Sequence, residues 1–176
     1  MRLTAHANKI PRLSSTAQFR LLRALVYFIG LAPAVWTFYL GFTNQLGANP
    51  IRTLEQDLGI WALRFLIATL TVTPLRDLTG ISLMRYRRTL GLLTFYYALL
   101  HFFAYMLLDY RLDLQAIVGD IVKRPYITIG MLAFAVLVPL AITSNNWVIR
   151  RMGGAWARLH RWVYLAAAAA ALHYLL

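Results

Sequence analysis

RLHRWVYLAAAAAALHYLL, residues 158–176, is the stretch on which the fold turns. It reads as an apolar helix with a histidine near each end, His160 and His173, and six alanines, 166–171, between them. Thirteen residues of helix at about 1.5 Å each set the two imidazoles roughly 20 Å apart, most of a bilayer core of about 30 Å. Ionisable residues are expensive in lipid and mark function there by default. Two ligands at two depths, with a smooth alanine surface between, suit a helix that holds flat cofactors at both sides of a membrane. The same letters also describe a closely packed helix with two incidental histidines, since small residues let helices approach.

The rest of the chain decides for the membrane. Its 176 residues are 60% hydrophobic, with a mean hydropathy of +0.60. Soluble domains do not have this composition, whereas several membrane spans do. The expectation is all-α: an integral membrane helical bundle, one domain over 1–176, with about five transmembrane helices. The spans fall at about 24–42, 59–73, 90–108, 126–143 and 157–176. Pro33 should bend the first, and Pro74 should stop the second. Residues 43–58 read as a loop with a GANP turn and a short helical piece carrying Glu55 and Asp57. The polar start, with His6, reads as a surface segment leading into a retained first span rather than a cleaved signal.

Charge sets the orientation. Thirteen Lys or Arg lie in the N-terminal segment, the second loop and the fourth loop with the start of the fifth span, against four in the first and third loops. The positive-inside rule then puts the N-terminus in the cytoplasm and the C-terminus outside. A net charge of +12 raises nucleic acid as a partner, but the cations sit between apolar spans and form no basic helix face. The absence of cysteine excludes disulfides, iron–sulfur ligation and thiolate-held or covalently attached haem. No phosphate loop, dinucleotide fingerprint or H-E-x-x-H pattern is present.

Three histidines lie in spans. The third and fifth spans both run outward, so His101, in YYALLHFFAY, and His173 share a depth and could ligate one haem iron from opposite sides. His160 falls at the inner level with no histidine opposite; a site there could be five-coordinate, take a different sixth ligand, or be absent. On one ideal helix His160 and His173 would also stand roughly 140° apart in azimuth. Arg64, near the outer level of the second span, is a candidate partner for a haem propionate; the alternative is snorkelling to the interface. The inner arginines, Arg85, Arg87, Arg88, Arg150, Arg151, Arg158 and Arg161, express topology, and a subset could hold inner propionates or a flavin phosphate.

Taken together, GANP (47–50), ALRFLIATLTVTPL (62–75), RRTLGLL (87–93), LLHFFAY (99–105), RPYITIG (124–130) and LHRWVYLAAAAAALHY (159–174) resemble the MsrQ (YedZ) family, in the ferric-reductase-like transmembrane group. GANP departs from the family's more usual GADP, and many members continue into a sixth span. The resemblance implies b-type haem, one or two per chain, on His101, His160 and His173, and a flavin mononucleotide (FMN). It implies electron flow across the bacterial inner membrane from the quinone pool or a cytoplasmic flavin donor to a periplasmic molybdopterin partner that reduces methionine sulfoxide. On that reading substrate chemistry belongs to the partner. A stand-alone ferric or quinone reductase, or a non-redox scaffold or transporter, are the rival readings.

Overall fold

The computed structural model describes residues 15–176; the polar segment with His6 lies outside them. The described residues form helices and connecting turns, with no strand. Helix α1 spans Ser15–Phe42, α2 Pro50–Thr79 and α3 Met84–Ala104, which runs into a π-helical turn, Tyr105–Asp109. Then come α4 (Leu114–Lys123), α5 (Pro125–Ile142), α6 (Asn146–Met152), α7 (Gly154–His160) and α8 (Val163–Leu175). Among the described residues four helices are long and apolar enough to cross a membrane: α1, α2, α3 with its π-turn, and α5. Large apolar side chains point outward along them, among them Phe28, Val35, Trp36, Ile67 and Ile142. Such a surface needs lipid, and helices are the elements that satisfy their own backbone there.

Two hairpins make the frame. Helix α2 packs most closely on α3, and α5 on α8, with fewer contacts between the two pairs. Helices α2 and α5 each begin on a proline, Pro50 and Pro125, at a position where the missing N–H costs nothing. In the second hairpin Ala166 and Ala169 are buried, so alanine lets α8 sit close on α5. Between hairpins the contact is aromatic: Phe134 of α5 stacks on Phe102 of α3 at 4.8 Å.

Helix α1 rests on the first hairpin through Tyr97. This side chain is fully buried. Its hydroxyl donates to the Gly30 carbonyl (2.7 Å) and accepts the Ala34 N–H (3.0 Å). It thereby stands where the 34-to-30 rung of the α1 ladder would be, beside Pro33, which already lacks a donor.

Three expectations need correcting. Pro74 does not stop the second span: α2 continues to Thr79 and ends on Gly80, whose positive φ of 74° lets its N–H cap the Arg76 carbonyl. Proline inside a span is tolerated, because neighbours and local adjustment take up the freed carbonyl. The short helical piece expected within residues 43–58 is not separate from the second span: residues 50–58 are the first turns of α2, with Leu54 and Leu58 in the core. The fifth stretch is not one helix. It breaks at Arg161–Trp162, where i-to-i−3 bonds from Trp162 to Leu159 and from Tyr164 to Arg161 replace the regular ladder. The roughly 140° azimuth of one ideal helix therefore does not govern His160 and His173.

Candidate functional site

His101 projects from the last full turns of α3 against the start of α2. Its Nδ1–H donates to the Glu55 carbonyl at 2.8 Å. His173, near the end of α8, does the same to the start of α5: Nδ1–H donates to the Tyr126 carbonyl at 2.7 Å. A carbonyl only accepts, so in each ring the proton sits on Nδ1 and the Nε2 lone pair is left to coordinate. Tyr126 also stacks on the His173 ring, its plane within 24°.

The two rings lie together, with centroids 6.2 Å apart and planes at 68°. Two metal–nitrogen bonds of about 2 Å, plus roughly 1 Å from nitrogen to ring centre on each side, span that distance. The rings reach their carbonyls over glycine. A Cβ on Gly59 would stand 3.3 Å from His101 Nδ1, and one on Gly130 would stand 2.8 Å from His173 Nδ1.

Among the described residues no three His, Cys, Asp or Glu side chains gather as a cage for a bare ion. Two neutral imidazoles are too few for such an ion. They are the number needed by an iron whose other four positions a macrocycle fills. The donor set and the glycine-lined cradles thus fit haem.

His160 lies elsewhere. It ends α7, stacks on Trp156 at 4.0 Å, and has Nε2 3.0 Å from the Thr143 hydroxyl. That hydroxyl has one proton and stands 2.7 Å from the Pro139 carbonyl, which can only accept it. The hydrogen between ring and hydroxyl is then the one on His160 Nε2. Trp156 fixes the same corner, its Nε1–H donating to the Thr143 carbonyl at 3.1 Å. His160 therefore carries the opposite tautomer from His101 and His173, with Nε2 occupied. Arg64 is exposed, its guanidinium over the Trp61 ring at 4.7 Å. Arg88 bonds Asn146 at 2.5 Å, while its Nε is buried without a hydrogen-bond partner among the described residues.

Sequence reasoning missed Gly59, Gly130 and the two carbonyls. The available signal was a single glycine inside an apolar span, which usually has a packing reason. The histidine that meets each carbonyl lies 46 or 47 residues from it in the chain.

The family model described as "Ferric reductase like transmembrane component" matches residues 58–171. A 152-residue stretch, 86% of the chain, is 64% identical to a Brucella ovis (strain ATCC 25840 / 63/290 / NCTC 10512) protein named "Protein-methionine-sulfoxide reductase heme-binding subunit MsrQ", covering 69% of that protein. Identically named proteins of Brucella abortus (strain 2308) and Brucella suis biovar 1 (strain 1330) match to the same extent. No solved structure matches. On the length of the family match and the identity to these relatives, the chain belongs to the MsrQ family of the ferric-reductase-like transmembrane group.

Proposed function

We propose that this chain is the b-type haem membrane subunit of a methionine-sulfoxide reductase system, carrying electrons across the bacterial inner membrane to a periplasmic molybdopterin partner. The observation that carries the reading is the pair His101 and His173, 6.2 Å apart, each with Nδ1–H tied to a carbonyl and Nε2 left free. The names of the Brucella relatives support it. Haem, when bound, supplies a one-electron couple. The chain's own groups do the rest. His101 and His173 would hold the haem, and the Glu55 and Tyr126 carbonyls fix each ring's tautomer and would raise its basicity as a ligand. The apolar helices keep water away and so tune the potential. Electrons would enter from the quinone pool or a cytoplasmic flavin donor. FMN, implied by the family resemblance, would find at the inner face the unpartnered Arg88 Nε, a fitting donor to a phosphate oxygen. His160 is the candidate for a second, inner haem, provided its bond to Thr143 opens or Nδ1 serves instead.

The test is a pyridine-haemochrome titration of protein purified in detergent. At least one haem b per chain is expected; a value near zero would overturn the reading. Two further results follow. A periplasm-dependent reporter fused after Leu176 should be active, because the charge asymmetry puts that end outside; a signal only from a cytoplasmic reporter would reverse the orientation. Arg64 is the proposed propionate partner. Removing its cation disfavours the reduced, less positive iron, so Arg64→Gln should lower the outer haem's potential by a few tens of millivolts, roughly 1 kcal/mol for one electron at an exposed site. An unchanged potential would leave Arg64 as a snorkelling side chain seated on Trp61.

A further inference from the structure

We infer that Gly59 and Gly130 are positioning residues, each opening a helix carbonyl to the histidine that ligates the outer haem. The inference rests on the haem reading above and adds two residues to it. The same device occurs twice. In α2 the acceptor is residue 55 and the glycine residue 59; in α5 they are 126 and 130. The spacing of four has a geometric cause. In an α-helix the Cα–Cβ bond tilts toward the N-terminus, so the side chain at i+4 covers the turn that carries the carbonyl of i. That carbonyl already accepts the backbone N–H of i+4. Its second lone pair faces outward, and a ring lying flat over that turn can reach it most closely where residue i+4 has no Cβ. Each histidine ring occupies the vacated space: a Cβ at Gly130 would meet His173 Nδ1, Cε1 and Cγ at 2.8, 2.9 and 3.1 Å, and one at Gly59 would meet His101 Nδ1 and Cε1 at 3.3 and 3.4 Å.

Other helical glycines lack this relation. A Cβ on Gly91 meets only a Thr69 methyl at 3.7 Å, and one on Gly119 meets nothing within 4 Å. Glycine is otherwise disfavoured inside a helix relative to alanine, so substitution at a site without a notch should be harmless or stabilising.

The ring–carbonyl bond makes each imidazole a more basic ligand and so favours ferric iron. Gly130→Ala drives its Cβ into the ring; the low-spin six-coordinate spectrum should be lost and replaced by a high-spin one. Gly59→Ala has a softer contact; it should keep the haem low-spin, with a midpoint potential higher than wild type because the carbonyl bond is stretched. Gly91→Ala should match wild type in spectrum and potential. All are compared in detergent at equal extracted yield, by redox titration and low-temperature electron paramagnetic resonance, neither of which a purely structural role would move. If Gly130→Ala does not accumulate, Gly59→Ala decides alone. Wild-type haem with an unshifted potential in Gly59→Ala overturns the inference and leaves the haem reading standing. Wild-type protein without haem overturns both.

Discussion

His101→Ala and His173→Ala should each abolish one and the same low-spin haem signal, and the double variant should look like either single one. A six-coordinate site needs both imidazoles, so the two act as a unit and their losses do not add. The rings lie 6.2 Å apart and are held from opposite hairpins, so on the proposed reading removing either would leave the other without a partner for the haem. His160→Ala should spare that signal, because His160 sits on Trp156 and Thr143. Its loss would instead affect a separate inner haem or the entry of electrons. The measurement is the ferric spectrum and the haem content of each variant, normalised to extracted protein. Loss of the same haem from His101→Ala and His160→Ala, with His173→Ala intact, would break the pairing.

Tyr97→Phe should destabilise the bundle by about 2–6 kcal/mol, since burying a donor or an acceptor without a partner costs about 1–3 kcal/mol each. The variant keeps the ring and its packing on Phe65 at 5.3 Å. It removes only the oxygen that joins the Gly30 carbonyl to the Ala34 N–H. Pro33 stands next to the opened rung and has no N–H to offer in exchange. Thermal unfolding in detergent, followed by loss of helical signal, reads the effect. An unaltered transition would mean that α1 closes its own ladder once the hydroxyl is gone.

Composition alone determined that this chain belongs in lipid, because a bundle with so little polar surface has no other solvent. The order of spans was readable because each needs about 20 apolar residues. The sharing of one level by His101 and His173 followed from counting residues at a fixed rise. Helix ends were not readable. Glu55 and Asp57 read as a short helical piece within a loop, yet Leu54 and Leu58 beside them are core and the helix runs on without a break, and Pro74 is absorbed because neighbouring groups in a membrane bundle can tolerate what would stop a soluble helix. The break at Arg161–Trp162 was hidden for a similar reason, since nothing in the letters signals that His160 finds Thr143 and Trp156. Tertiary structure alone decided the chemistry of each imidazole. A histidine's tautomer is set by whichever group its other nitrogen meets, and those groups are backbone carbonyls on another helix for His101 and His173 and a hydroxyl for His160. A backbone carbonyl has no letter in the sequence. Its accessibility depends on the absence of a Cβ four residues later, and that matters only once a second helix brings a ring against it.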